Sequence, residues 1–263
     1  VLLASYNEQK MLNRLQMVCI PTTIKNNTDI YISLFGQLQI STSSGTLKES
    51  DYNSPHISQL LTYLLISSEK AHSSLEIAQA LWPDDSTNPA KNMRNLIYRL
   101  RQTFGLISDA ELIVSTASGY QFNPKIHIIA DYQQFDEFIR SASAASSIIN
   151  RVELLKSAID LYNGKILSSA EGEHWLIQFA TKYHIAYIGV VNELLKQLAS
   201  LHSYDLLNQY AMRSLTIAPE NTKGYYWLIR SLKAQGMDEL ASNEYRLAKQ
   251  KLTDNEYLDL LDL

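Results

Sequence analysis

Residues 88–105, with the sequence NPAKNMRNLIYRLRQTFG, determine how the chain around them is interpreted. Apolar side chains recur at helical spacing on one narrow stripe, formed by Met93, Leu96, Ile97, Leu100 and Phe104. Polar side chains fill the rest of the circumference, namely Lys91, Arg94, Asn95, Tyr98, Arg99, Arg101 and Gln102. Residues 86–108 contain no Asp or Glu, although the whole chain has a net charge of −4. The pattern therefore predicts an amphipathic helix whose cationic face suits an anionic partner.

At about 100° per residue, the polar side chains of this helix divide into a centre and two flanks. Candidates for contacts with base edges in a DNA major groove are the central residues Lys91, Asn95, Tyr98 and Gln102. Candidates for phosphate contacts on the groove walls are the flanking residues Arg94, Arg99 and Arg101. The alternative is a solvated helix whose long cations only keep the surface wet. The secondary structure predicted on either side of the helix decides between these two interpretations.

The composition predicts a two-domain globular protein of 263 residues. Because 27 Asp and Glu outnumber 23 Lys and Arg, any nucleic-acid contact has to be local. Cys19 is the single cysteine, which excludes an intrachain disulfide and fits a reducing cytoplasm. We expect a cytoplasmic protein with no membrane contact, since no apolar run approaches the roughly 20 residues of a spanning helix. We interpret residues 1–29 as a linker or the tail of a missing upstream domain.

The residues on either side of the cationic helix predict strands, two further helices and a hairpin. Alternating apolar residues over 30–41 predict a strand bent at Gly36, and residues 42–45 predict a turn. Ser54 with Pro55 begins one helix, and Ser73 or Ser74 caps a second that ends at residues 83–85. Residues 112–122 predict a hairpin with its tip at 117–119.

Sheet, three helices and hairpin form a winged helix-turn-helix over residues 30–130. The third helix, about residues 89–104, is then the recognition helix in the major groove. The hairpin is the wing, on the DNA backbone or in the minor groove. Ser118 and Gly119 at its tip are further candidates for phosphate contacts. The co-occurrence of wing and cationic face favours DNA binding over a merely solvated helix.

Residues 34–122 resemble the winged-helix DNA-binding domain of OmpR-type bacterial transcription regulators. The resemblance is to the version that precedes a bacterial transcriptional activator domain in the antibiotic-regulatory-protein class. It rests on LFGQLQI, ALWPDD, NMRNLIYRLRQTFG and SGYQF, which contain the family's Leu81-Trp82, Arg99-Leu100-Arg101 and Gly119-Tyr120. Ala90 and Lys91 depart from the Arg that often precedes the recognition helix in such proteins. The base contacts are therefore not carried over from the family.

Residues 131–263 predict an all-α region of tetratricopeptide-like repeats. ADYQQFDEFI and AEGEHWLIQF in this region resemble the bacterial transcriptional activator domain. A repeat with a period of 34 residues pairs Leu194 with Leu228, Leu198 with Leu232, Leu207 with Ala241, Ala211 with Tyr245 and Ser214 with Ala248. His202 and Gly236 fall at the turn of the two copies. Tyr225 and Tyr226 are candidates for contacts with a protein partner, although repeat packing uses aromatic residues in the same way.

Catalysis has little support in the sequence. The six histidines show no metal-ligand spacing, and no phosphate-binding glycine loop or nucleophile elbow is present. Glu171, Glu173 and His174 could form an acid and base cluster, but a helix start before Trp175 explains them better. We therefore expect no enzymatic activity, no cofactor and no metal. Trp82, Trp175 and Trp227 could stack on bases but are better explained as core residues.

Three classes of function remain. The favoured one is a sequence-specific transcription regulator, expected to be an activator. It would bind double-stranded promoter DNA, as a homodimer if the family's pairing on direct repeats applies, and contact RNA polymerase through the helical repeats. The second is a repeat scaffold whose winged helix does not bind DNA, and the third is a small-molecule sensor. Salt dependence separates the first two, because phosphate contacts weaken steeply as salt rises.

Overall fold

The computed structural model describes residues 29–52, 54–83, 88–168 and 173–252. The predictions for residues 1–28, for Asp84 and Asp85 and for Glu171 lie outside these residues. The described chain forms two compact units. The first contains the positions up to 134 together with 165–180, and the second contains 135–164 and the positions from 181 onward. The domain ranges 30–130 and 131–263 stay a prediction, to which the fold adds that residues 165–168 and 173–180 belong to the first unit.

A four-stranded sheet in the order β3-β2-β1-β6 forms one side of the first unit. Its strands are β1 Asp29–Ser33, β2 Gln39–Thr42, β3 Gly45–Lys48 and β6 His127–Ala130. The single bent strand predicted over 30–41 is wrong, because β1 and β2 are separate antiparallel strands, with Tyr31 opposite Ser41. The chain reverses between them at Gly36, whose φ of 91° lies in the left-handed region that glycine tolerates. Strand β6 returns parallel to β1.

Three helices pack with this sheet, and their starts follow the capping residues of the sequence. They are α1 Pro55–Ile66, α2 Ser74–Leu81 and α3 Pro89–Phe104. Ser73 caps α2 reciprocally, since its Oγ accepts from the Glu76 amide at 3.2 Å and Glu76 Oε2 accepts from the Ser73 amide at 2.7 Å. Asn88 Oδ1 accepts from the Lys91 amide at 3.1 Å and caps α3. A two-stranded hairpin follows, β4 Ile113–Thr116 and β5 Gly119–Phe122.

Residues 165–168 form hydrogen bonds within the first unit, far along the chain from their partners. The Gly36 amide donates to Lys165 O, and the Leu167 amide donates to Leu34 O, both at 3.1 Å. Phe35 and Ile166 form an antiparallel bridge between these two segments. The segment therefore extends the winged-helix unit beyond the residues that resemble the family's DNA-binding domain.

The second unit is helical throughout its described residues. Its elements are parts of α4 Asp131–Ala144 and α6 His174–Ser200, and all of α5 Ile148–Leu161, α7 Tyr204–Ile217, α8 Thr222–Ala234 and α9 Asp238–Lys251. The predicted repeat is confirmed at its turns, because His202 and Gly236 both have left-handed backbone, with φ of 56° and 73°. A winged helix-turn-helix followed by all-α repeats is thus the architecture that the sequence predicts. Over the described residues, no helix combines the length and apolarity needed to cross a membrane.

Candidate nucleic-acid interface

Helix α3 separates a buried stripe from an exposed polar face. The five stripe residues are all buried, and Met93 is the most deeply enclosed with no exposed surface. The opposite face is exposed at each position predicted to contact DNA, namely Lys91, Arg94, Asn95, Tyr98, Arg99, Arg101 and Gln102. Tyr98 shows this most clearly, since 64% of a large aromatic residue is open to solvent. Packing therefore uses one side of α3 and leaves the cationic side available.

The base-edge candidates Lys91, Asn95, Tyr98 and Gln102 share one property besides exposure. Among the residues that the structure describes, no hydrogen bond or ion pair occupies any of these four side chains. The Lys91 amide is used by the Asn88 cap, but its ammonium is not. Side chains without an internal partner can reach for a ligand without first breaking a bond. Their contact with base edges stays a prediction.

The three phosphate candidates on α3 differ in their surroundings. Arg94 and Arg99 are exposed and have no ionic partner among the described residues. Arg101 instead donates from Nη2 to Oε1 of Glu111. Glu111 lies in the loop between α3 and β4, a residue to which sequence reasoning assigned no role. The acid-free stretch 86–108 ends shortly before it, which is the signal that could have suggested a compensating carboxylate.

An acidic rim follows the C-terminal end of α3. A cavity of about 420 Å³ opens there, lined on one side by Ile97, Leu100 and Phe104 and on the other by Asp109 and Glu111. Both carboxylates are exposed. Glu111 is paired with Arg101, whereas Asp109 forms no ion pair within the described part of the chain.

The wing is held close to its tip by backbone pairing between Tyr120 of β5 and His72, which lies two residues before α2. The Tyr120 amide donates to His72 O at 2.8 Å, and the His72 amide donates to Tyr120 O at 2.9 Å. Gly119 has a φ of 130°, and a Cβ added to it would lie 2.0 Å from His72 O. The fold therefore requires glycine at position 119, whatever the wing contacts. Ser118 is exposed at the tip, where its amide donates to Thr116 Oγ1 at 3.2 Å.

His72 supports this junction from inside the first unit. The residue is buried, its Nε2 lies 2.8 Å from Ser67 O, and its ring packs edge-on against Tyr63 at 5.2 Å between centroids. Sequence reasoning found no metal-ligand spacing for His72, assigned it no further role and missed this contact with the wing. The signal available was the glycine of SGYQF, which indicates a close backbone approach.

The two tyrosines predicted to contact a protein partner lie on different sides of α8. Tyr225 is only 2% exposed, and burial raises the pKa of its hydroxyl, with Glu244 as a second cause. Its predicted role in partner contacts is therefore corrected to one in the repeat core. Tyr226 is half-exposed and its hydroxyl accepts a hydrogen bond from Arg230 Nη1 at 2.8 Å. Only Tyr226 of the pair is open to a partner.

The described residues contain no cluster of metal-ligating side chains. No group of three or more His, Cys, Asp or Glu among them could hold a metal ion. Glu173 Oε1 accepts from Gln59 Nε2 at 3.1 Å, and Glu173 O accepts from the Leu176 amide at 2.9 Å. This carboxylate thus belongs to the start of α6, which is the helix start that the sequence predicts.

Comparison with known proteins shows what the helical region and the fold are similar to. Residues 130–258 match the family model of the bacterial transcriptional activator domain. A solved structure, Mycobacterium tuberculosis EmbR in complex with low affinity phosphopeptide, superposes with a TM-score of 0.62 at 15% sequence identity. The match covers 84% of this chain and 59% of that chain, and at this identity it shows a shared fold. A search of curated proteins gave no match.

Proposed function

We propose that this chain, a winged-helix protein whose C-terminal region is a bacterial transcriptional activator domain, is a sequence-specific DNA-binding regulator that activates transcription. The domain match and the fold support membership of a class of transcription regulators. The proposal that the chain binds DNA, and through which residues, depends on the surface of α3.

The observation that carries the proposal is the combination of exposure and charge on α3. Seven polar side chains on one side are exposed, while the opposite stripe is buried. None of the residues 86–108 is acidic. A solvated surface helix in a chain of net charge −4 would be expected to mix both signs of charge. A helix that enters the major groove would not, because every position of its outer face meets phosphate or acceptor-rich base edges.

The expected docking follows from the geometry of a helix in the major groove. The groove is about 12 Å wide and admits one α-helix, so the centre of the polar face meets base edges and its flanks meet the two phosphate walls. Asn95 and Gln102 are suited to the paired donor and acceptor of adenine, and Lys91 to the acceptors of guanine. Arg94 and Arg99 supply phosphate contacts. Arg101 can join them only by exchanging Glu111 for a phosphate.

The helical repeats are proposed to make protein contacts. RNA polymerase and a second protomer on adjacent half-sites are the two partners that an activator of this architecture would require. A symmetric or tandem pair on DNA would space its half-sites by about one helical turn, 10 to 10.5 base pairs, or a multiple of it. The spacing in selected DNA sequences therefore tests the assembly as well as the binding.

Selection of bound sequences from a random duplex library tests the proposal, followed by titration of the enriched duplex at several salt concentrations. We expect one enriched motif and a slope of log K against log salt near −0.9 for each phosphate neutralised. Arg94→Gln and Arg99→Gln should each flatten the slope. Arg140→Gln, which removes an exposed arginine paired with Glu137 in the helical region, is the control. Absence of enrichment with salt-insensitive binding would favour the scaffold whose winged helix does not bind DNA.

A further inference from the structure

A second acid-free cationic surface lies on α8, in the helical unit. Thr222–Ala234 contains Lys223, Arg230 and Lys233 and no Asp or Glu. The other side of the helix packs into the repeat core through residues that are buried, namely Tyr225, Leu228, Ile229 and Leu232. The three cations are exposed. We call the surface formed by Lys223, Tyr226, Trp227, Arg230 and Lys233 the α8 face.

The side chains of the α8 face lie close together along the helix. At about 100° per residue, Lys223 and Arg230 are two turns apart on nearly one line, with Tyr226 and Trp227 on either side of it. Arg230 Nη1 donates to the Tyr226 hydroxyl at 2.8 Å. Its guanidinium carbon lies 6.0 Å from the Tyr226 ring centroid and 5.8 Å from that of Trp227. Arg230 is thereby held over two half-exposed aromatic rings, which reduces the rotamer entropy that a ligand contact would cost.

No acidic side chain compensates these cations within the part of the chain that the structure describes. Lys223, Arg230 and Lys233 form no ion pair there. The preceding copy of the 34-residue repeat does carry an acidic residue: Glu193 on α6 is equivalent to Trp227. Its carboxylate accepts a hydrogen bond from Gln197 Nε2 at 2.6 Å. The neighbouring helix α9 shows the usual arrangement instead, with Asp238 and Glu239 in its first turn and Lys249 and Lys251 in its last.

The helix dipole explains only part of this charge. Lys233 lies in the last turn of α8, where a cation is favourable. Lys223 lies in the first turn, where the positive end of the dipole and the free amide groups disfavour a cation, and no acidic residue accompanies it there. Folding of the helix therefore gains nothing from Lys223. A negatively charged ligand would convert this unfavourable position into a binding contact.

We propose that the α8 face docks an acidic peptide segment of a protein partner, one that carries an aromatic or aliphatic side chain between its carboxylates. Lys223 and Lys233 are ten residues apart, which is about 15 Å along the helix axis. About five residues of extended peptide cover that length. Arg230 offers its guanidinium fork to a carboxylate, while Tyr226 and Trp227 offer apolar surface to the side chain between them. The inference rests on the proposal that the helical repeats make protein contacts.

Aromatic surface favours a peptide over a nucleic acid at this site. Tyr226 and Trp227 are only half-exposed, and their rings face each other edge-on at 5.0 Å between centroids. The two rings offer a shallow apolar contact for one side chain, and the Arg230 guanidinium that lies over both of them competes with a base for their faces. A duplex backbone would use the cations alone. Duplex DNA is therefore the competing ligand that the experiment has to include.

Fluorescence anisotropy of a labelled peptide with the full chain tests the proposal. The probe has the sequence of residues 253–263, TDNEYLDLLDL, which supplies four carboxylates, one tyrosine, four leucines and no cation. A matched peptide carries Asn and Gln in place of the four acids. We expect the acidic peptide to bind at least about tenfold more tightly than the amide peptide, and more weakly as salt rises. Equal affinities, or no binding at low salt, would overturn the proposal.

Substitutions on the full chain locate the site. Arg230→Gln and Lys223→Gln should each weaken the acidic peptide by about three- to tenfold. Arg246→Gln on α9 is the matched control, because that exposed arginine is also hydrogen-bonded to a side chain one helical turn before it, that of Asn243, but lies outside the α8 face. Loss of affinity in the control alone would place the binding site outside the α8 face. Displacement of the peptide by a random duplex would indicate that the face binds nucleic acid. Either result would overturn the proposal.

One further variant separates a protein partner from the chain's own acidic segment. Asp254→Asn, Glu256→Gln, Asp259→Asn and Asp262→Asn together remove the carboxylates of residues 253–263. We expect peptide affinity within about twofold of the unchanged chain. A gain of tenfold or more would show that the chain's own segment occupies the α8 face and would overturn the partner proposal. Binding of the selected duplex is measured on the same variants, so failure of the peptide result is distinguishable from failure of DNA binding.

Discussion

Glu111, in the loop that leads to the wing, forms an ion pair with Arg101 on the exposed face of α3. Both side chains remain about half-exposed, so the pair contributes little to folding. Its effect is on the charge of the candidate DNA interface, because one of the three flanking arginines is neutralised by the protein itself. The pair also connects the last turn of α3 to the segment that precedes β4.

Glu111→Gln should strengthen DNA binding. The substitution frees Arg101 for a phosphate and removes a negative charge from the rim, so we expect affinity to rise by about threefold to tenfold at low salt. The slope of log K against log salt should become steeper by about 0.9, the value for one added phosphate contact. Salt titration of the selected duplex measures both quantities. If affinity is unchanged and Arg101→Gln is also silent, Arg101 lies outside the interface.

Asn95→Ala should relax sequence preference at a single base pair. An amide that bonds both N6 and N7 of adenine contributes about 1 to 3 kcal/mol of discrimination, and its removal should leave the other positions of the motif unchanged. Competition between the selected duplex and its single-base variants measures the loss. Arg99→Ala provides the contrast, since a phosphate contact should weaken all duplexes alike. A uniform loss with Asn95→Ala would demote this side chain to a backbone contact.

Gly119→Ala should destabilise the winged-helix unit. A Cβ at this position would lie 2.0 Å from His72 O and 2.7 Å from the Ser73 amide nitrogen, and the φ of 130° is unfavourable for alanine. We expect a loss of at least about 2 kcal/mol in the free energy of unfolding. Denaturant titration followed by circular dichroism measures it.

Gly189→Ala is the matched control for that substitution. Gly189 lies within α6, and an added Cβ would meet nothing within 4 Å. The same change should here stabilise the protein by about 0.5 to 1 kcal/mol, because alanine loses less backbone entropy in a helix. Equal effects at the two glycines would contradict the close approach of the wing to His72.

Asp131 should make the stability of the winged-helix unit depend on pH. The carboxylate is 1% exposed at the start of α4 and accepts from Ser33 Oγ, the Leu34 amide and the Phe35 amide at 2.7 to 2.8 Å. Burial raises its pKa from 3.8 to about 6, against the lowering effect of these hydrogen bonds. The folded state therefore binds the proton more tightly than the unfolded chain.

The sign of the pH effect follows from linkage. The favourable contribution of the protonated carboxyl is fully present below pH 3.8 and is lost as the pH rises through about 6. Unfolding free energies measured between pH 4 and 7 should contain this falling component, and Asp131→Asn should abolish it. An identical profile for Asp131→Asn and the unchanged chain would contradict the assignment.

The parts of the fold that the sequence predicted well depend on residues that are close along the chain. The stripe on α3 and the Ser73 cap of α2 both involve partners three or four positions apart, so short-range sequence patterns indicate them. The 34-residue repeat could be predicted in a similar way, because equivalent positions of its two copies are expected to have the same role in the fold. It identified His202 and Gly236 as equivalent turns, and both have left-handed backbone.

The candidate site could be predicted only in part. Exposure of the polar face of α3 follows from the apolar stripe, since burial of one side of a helix leaves the other in solvent. Which cations remain unpaired does not follow. The pair between Arg101 and Glu111 depends on the path of a loop, and the burial of Tyr225 beside the exposed Tyr226 depends on which side of α8 meets its neighbours.

By itself, the sequence determined the three helices of the first unit, the Ser73 cap, the wing hairpin, the repeat period and the location of the cationic stretch. Only the tertiary structure decided that residues 30–41 reverse into two strands, that residues 165–168 bond to Leu34 and Gly36, and that the Asp131 carboxylate is buried against the turn after β1. These features join residues up to more than a hundred positions apart. The periodicity of apolar residues along the sequence carries no information about such pairs. Their contacts form only when the intervening chain has closed into a loop, and that depends on the whole fold.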